Sequence, residues 1–137
     1  MSTLDLLRTV PLFQGMTDRS VERIAGLVRP TTYAEGDILA REGEEGETFV
    51  VLTSGSASVS QDGRPLRVLG AGDFLGEISL VDGRPRTATV TATSPIEALV
   101  IDRAGFEHLM SDFPAVRLEL VSALTTRMRQ RSGDVTD

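Results

Sequence analysis

The stretch ASVSQDGRPLRVL, residues 57–69, decides the fold. Ala57 to Val59 and Leu66 to Leu69 are short apolar or alternating runs, and Asp62–Gly63 lies between them. An Asp-Gly pair accepts the two positive φ angles of the tightest strand reversal, so the stretch reads as a β-hairpin. Working outward, the same texture continues on both sides. Ile38 to Ala40 and Phe49 to Leu52 precede the hairpin; Thr87 to Ala92 and Ile96 to Ile101 follow it. Gly36–Asp37, Gly43, Gly46, Ser54–Gly55 and Gly72–Asp73 punctuate these runs. AEGDIL (34–39) and GAGDFL (70–75) look alike, as if one turn type were used twice. From Thr31 to Asp102 the chain is mainly β, of the sandwich, jelly-roll or barrel kind.

Helical texture flanks this region. Leu4 to Phe13 is a short apolar stretch broken at Pro11. Thr17 suits an N-cap, and Val21, Ile24, Ala25 and Val28 fall on one face of a helix expected to run to Arg29, with Pro30 stopping it. After the strands, Asp102 caps an expected helix from Arg103 to Met110, with Phe106 and Leu109 turned inward. Pro114 suits the first turn of a last helix whose stripe is Val116, Leu120, Leu124 and Met128. Arg127, Arg129 and Arg131 end that helix, where cations complement its dipole. The expectation is one domain over residues 1–137: a helical N-terminus (1–30), a β-region (31–102) and two C-terminal helices (103–131).

Composition removes several chemistries. There is no cysteine, so disulfides, thiolate metal sites, iron–sulfur clusters and cysteine nucleophiles are excluded together. A single histidine, His108, is too few for a metalloenzyme built on such a scaffold, and no metal site or cofactor is expected. All 14 cationic residues are arginines, which also removes lysine-based catalysis and the lysine of phosphate loops. The net charge of −6 argues against a general nucleic-acid binder. No apolar run reaches the ~18 residues of a membrane span, and Asp5 and Arg8 interrupt the leucines of the N-terminus, so it is not a secretory signal. The expected compartment is the cytoplasm.

The chemistry lies in FLGEISLVDGRPRTATV, residues 74–90. Gly76 lets backbone approach a ligand, and amides of the following turn can hold an anion. Arg86, nine residues after Glu77, is read as beginning a strand and placing a fixed cation beside those amides. A guanidinium pairs two phosphate oxygens at once, and a nearby carboxylate can accept from a sugar hydroxyl. On spacing alone, Glu77 and Arg86 could equally form a structural ion pair at the rim of the β-region.

Gly76-Glu77-Ile78-Ser79-Leu80 followed by Arg86-Thr87-Ala88 resembles the phosphate-binding cassette of the cyclic nucleotide-binding domain family, with the family's Glu-to-Arg spacing. Leu75 stands where many members carry phenylalanine. Glu35-Gly36-Asp37, Arg41-Glu42-Gly43 and Ser54-Gly55 resemble the family's turns, and the flanking helices resemble its terminal helices. The resemblance implies an eight-stranded antiparallel jelly-roll β-barrel flanked by N- and C-terminal helices, working as a regulatory sensor and not as an enzyme. It implies that Arg86 pairs the cyclic phosphate and that Glu77 accepts the ribose 2′-hydroxyl. Amides around Gly76, Ile78, Ser79 and Thr87 would complete the phosphate site, and the Thr87 hydroxyl would touch phosphate or purine. The ligand expected is cAMP, with cGMP the alternative.

The same resemblance makes Leu120, Leu124 and Met128 lid candidates over the base, with Arg127 and Ser132 as polar contacts. Packing onto the β-region is the other use for that stripe. Expected partners are a cyclic nucleotide and an effector protein or fused effector domain, with a homodimer through the C-terminal helix allowed by the stripe. Relatives with a DNA-binding wing continue for tens of residues past this helix, whereas this chain ends at Asp137, so direct DNA binding is not expected. The rival reading is a degenerate domain of the same fold that serves only protein contacts.

Overall fold

The computed structural model describes residues 2–76, 86–123 and 125. Helix α1 (Thr3–Thr9), a 3₁₀ turn at Pro11–Phe13 and helix α2 (Asp18–Ala25) come first. Eight strands follow among the described residues: β1 (Arg29–Tyr33), β2 (Ile38–Ala40), β3 (Thr48–Ser54), β4 (Ala57–Gln61), β5 (Arg64–Leu69), β6 (Phe74–Leu75), β7 (Thr89–Ala92) and β8 (Ile96–Asp102). Helix α3 (Arg103–Asp112) and a further helical run over residues 114–123 complete the described chain.

The strands form two antiparallel sheets, ordered β1-β8-β3-β6 and β2-β7-β4-β5. The expected mainly-β fold with flanking helices is what forms; among the described residues the two four-stranded sheets are not closed on one another, so 'barrel' describes them only loosely. Hydropathy texture explains which strand joins which layer. Phe49–Leu52 and Ala98–Ile101 are unbroken apolar runs because β3 and β8 are covered on both faces. Phe49, Val51, Leu99 and Ile101 face the helices, in one core with Leu7, Phe13, Ile24, Phe106, Leu109 and Val116. Val50, Leu52, Ala98 and Val100 face the second sheet, in another core with Ala57, Val59, Val90 and Ala92. Strands β4 and β7 alternate because only one of their faces is buried. The Phe49 ring, 5.5 Å from that of Phe74 and 5.2 Å from that of Phe106, anchors the helix-side core.

Two expectations are revised. Helix α2 is capped by Thr17, whose hydroxyl accepts from the Ser20 N–H at 3.2 Å, but it ends at Gly26 and not at Arg29. Pro30 lies inside β1, and Pro65 inside β5; both are edge strands, where proline is tolerated because one side of the strand has no ladder to feed. Helix α1, within the expected helical N-terminus, starts on a capping box in which the Ser2 and Asp5 side chains each accept the other's backbone N–H.

The hairpin at residues 57–69 forms as read, with Asp62 at φ 51° and Gly63 at φ 78°. The two similar turns are the same structure. In each, the final Asp carboxylate accepts from the first residue's N–H at 2.8 Å: Asp37 from Ala34, and Asp73 from Gly70. Each is also stapled to a strand by two main-chain bonds. Gly36 N–H donates to Ala92 and Ala92 N–H to Asp37; Gly72 N–H donates to Leu52 and Leu52 N–H to Asp73. Among the described residues no helix is long and apolar enough to cross a membrane.

Candidate functional site

A third copy of that turn builds the site. Arg41-Glu42-Gly43-Glu44 closes with the Glu44 N–H donating to the Arg41 carbonyl at 3.2 Å, and Gly43 sits at φ 81°. Its two stapling bonds go to Arg86: Gly43 N–H donates to the Arg86 carbonyl at 2.9 Å, and Arg86 N–H to the Glu44 carbonyl at 2.8 Å. Both main-chain groups of Arg86 are therefore fixed by a turn. Arg86 does not begin a strand, as its sequence context suggested; Thr87 and Ala88 form a bend, and β7 starts at Thr89. The reason is that a turn, not a neighbouring strand, takes up the hydrogen bonds of Arg86.

The side chain is held as well. Arg86 Nη2 donates to the Thr48 carbonyl at 3.3 Å and lies 3.4 Å from the Thr48 hydroxyl. Gly76 closes the other side at φ 97°, just past the end of β6. A Cβ there would overlap the Thr48 carbonyl and stand 3.3 Å from Arg86 Nη1. Glycine is thus required at position 76 both by its φ and by the close approach of β3.

Around this centre, Glu42 ties three elements together. Its carboxylate accepts from the Asp62 N–H at 3.0 Å and lies 3.4 Å from the Thr89 hydroxyl, which itself accepts from the Glu42 N–H at 3.1 Å. Tyr33, at the end of β1, packs partly buried against the inter-sheet core. Burial pushes its phenol above the usual tyrosine range, while the positive charges of Arg86 and Arg29 pull the other way. Arg103, at the start of α3, donates from Nη2 to the Gly46 carbonyl at 3.0 Å and pairs with Glu47 at 3.7 Å. It thereby holds the segment that leads into Thr48.

Of the residues expected from sequence, the structure brings Gly76 and Arg86 together and places Thr87, exposed, beside them. Glu77, Ile78 and Ser79 lie outside the described residues, as do the side chains of Leu124, Arg127, Met128 and Ser132. Leu120 is 2% exposed and packs in the helix-side core with Val116, so in this conformation its side chain serves packing. Sequence reasoning missed Thr48, Glu42 and Tyr33. Thr48 carries no local signal, since it is an ordinary strand-opening residue 38 positions from Arg86. Among the described residues no group of three or more His, Cys, Asp or Glu could hold a metal ion.

The family model for the cyclic nucleotide-binding domain matches residues 30–113. The chain is 34% identical over 113 residues to a cAMP-dependent protein kinase regulatory subunit of Debaryomyces hansenii, covering 82% of this chain and 25% of that protein. It is 33% identical over 121 residues to the cGMP-dependent protein kinase egl-4 of Caenorhabditis briggsae, covering 83% of this chain and 16% of that one. Among solved structures, cAMP-bound PfPKA-R (141-441) superposes with a TM-score of 0.85 at 27% identity, covering 95% of this chain and 45% of that one. The chain therefore spans a quarter or less of the length of the two curated relatives. With Arg86 fixed by turn and strand beside a glycine that admits no side chain, and with the match extending across both sheets, this chain belongs to the cyclic nucleotide-binding domain family.

Proposed function

We propose that this chain is a non-catalytic, cytoplasmic sensor that binds cAMP in preference to cGMP, with Arg86 pairing the cyclic phosphate and Glu77 the ribose. The observation that carries the reading is the double fixing of Arg86: main chain to the Gly43 turn, guanidinium to Thr48, beside a bare Gly76. A guanidinium fixed at both ends binds an anion without first losing its rotamer freedom. Backbone amides of Gly76, Ile78, Ser79 and Thr87 complete the phosphate site in this reading. The preference for cAMP is supported by the cAMP-bound structural neighbour and the regulatory-subunit relative; the cGMP-dependent kinase relative keeps cGMP as the competitor to test.

Output in this reading is a population shift of the C-terminal helix, which a nucleotide can drive only by its differential affinity for two positions. Leu124 and Met128 then contribute the lid, with Arg127 and Ser132 as polar contacts. Val116 and Leu120 already pack inward, leaving Leu118 (69% exposed) and Val121 (55% exposed) as the face available to an effector or a second copy.

Calorimetric titration with cAMP and cGMP tests the reading. Binding of cAMP at micromolar affinity or tighter, and weaker binding of cGMP, is the expected result. Arg86→Ala should remove roughly 3–5 kcal/mol of that binding, as when one partner of a sequestered ion pair is lost, and leave the thermal transition cooperative. Folded protein that gives no heat with either nucleotide would favour the protein-contact reading instead.

A further inference from the structure

We infer that Thr48 is a positioning residue for Arg86, its hydroxyl setting the plane in which the guanidinium meets an anionic ligand; the inference rests on the nucleotide reading of that site. The β3–β6 ladder pairs Val51 with Phe74 and Val50 with Leu75, and goes no further among the described residues. Thr48 lies just past its end, where the chain turns aside at Gly76 with φ 97°. The Thr48 carbonyl accepts from Arg86 Nη2 at 3.3 Å, and the Thr48 hydroxyl, 3.4 Å from the same nitrogen, stands on the same residue.

The carbonyl comes with any residue at position 48; the hydroxyl comes only with Thr or Ser. Two acceptors on one residue constrain rotation about the last guanidinium bond, which leaves the other nitrogen to face elsewhere. Nη1 is turned toward Gly76, 3.3 Å from where a Cβ would stand, so the fork faces the glycine that opens the cassette. Thr48 is itself braced from behind. It pairs with Asp102 of β8, whose carboxylate accepts the Gly105 N–H at 2.8 Å to cap α3, and the preceding Gly46 and Glu47 are held by Arg103. The hydroxyl therefore stands on a braced strand end and can help orient a long side chain.

The test uses Thr48→Val, Thr48→Ala and Thr48→Ser in the full chain, with cAMP calorimetry and ¹⁵N NMR of the Arg86 guanidinium in ligand-free protein, its signals assigned by their loss in Arg86→Lys. Both contacts are long, so the expected effect is moderate: affinity for cAMP falls roughly 3- to 10-fold in Thr48→Val. Thr48→Ser should restore it to within about twofold, which a purely steric role for the side chain would not do. The Arg86 signals should shift or average in Thr48→Val and stay in place in Thr48→Ser. If Thr48→Val fails to fold, the comparison of Thr48→Ala with Thr48→Ser asks the same question. Unchanged affinity and unchanged Arg86 signals in the hydroxyl-free variants would overturn the inference. Signals that move as expected in a protein that binds neither cAMP nor cGMP would uphold the anchor and overturn the nucleotide reading alone.

Discussion

Gly43 and Gly76 are both glycines at positive φ, yet substitution at them tests different physics. Nothing stands within 4 Å of a Cβ built at Gly43, so Gly43→Ala meets only the left-handed backbone strain of an L-residue, about 1–2 kcal/mol. At Gly76 the same strain is joined by overlap with the Thr48 carbonyl, and the total should reach about 2–5 kcal/mol unless β3 moves. Chemical denaturation of the two variants should separate them in that order; equal losses would mean that β3 yields easily at Thr48. Tyr33 gives a second residue-level prediction. It is the only tyrosine in a chain without tryptophan, so its phenolate absorbance can be followed without interference. Burial raises its pKa above 10.0, with the charges of Arg86 and Arg29 opposing. The folded state then holds the phenolic proton more tightly than the unfolded chain. The resulting stabilisation is complete below pH 10 and is lost as pH rises through the folded pKa. Tyr33→Phe should flatten stability against pH in that alkaline window. A phenolate that titrates identically in folded and denatured protein would refute the shift.

Caps and turns act one level up, where elements begin and end. Asp102 ends β8 and caps α3 through the Gly105 N–H, so Asp102→Ala should cost about 1 kcal/mol, or about 3–6 °C in thermal midpoint. A smaller drop would mean that Arg103, through Gly46 and Glu47, holds the start of α3 unaided. This cap was legible because Asp before an apolar-periodic segment is a local signal. So were the Asp62–Gly63 hairpin and the paired Gly-Asp turns. The third turn was less legible because it ends in Glu44, and because its strand partner, Arg86, belongs to no strand. Strand β6 escaped notice for another reason: two residues cannot display a period of two. The early end of α2 depended on Gly26 outweighing the continuing apolar stripe, and Val28 is buried from outside the helix.

For the whole molecule, the distinction between unbroken and alternating apolar runs already carried the layering. Phe49–Leu52 and Ala98–Ile101 belong to the sheet covered on both faces, while Ala57–Gln61 and Thr89–Ala92 belong to the sheet covered on one. Whether the sheets close was not legible, because closure depends on edges meeting in space and leaves no local pattern. The candidate site divides the same way. Gly76 and Arg86 lie within one readable cassette, whereas Thr48 and the Gly43 turn reach Arg86 only through the fold.

The openness of the sandwich has a colloidal consequence. Among the described residues each sheet has two edge strands, and an exposed edge can template the strand of another chain. Here the edges are β1, β6, β2 and β5. Two of them, β6 and β2, are only two and three residues long, and the longer pair each contain a proline, Pro30 in β1 and Pro65 in β5. Strand β5 has the greatest need of that guard, since it also carries Leu66 and Val68, the latter 70% exposed. Pro65→Thr would restore an edge donor beside those side chains, and light scattering of concentrated protein should then rise faster than in the parent chain. Pro30 and Pro65 are, on this account, what blunts the two longer edges against pairing with another chain.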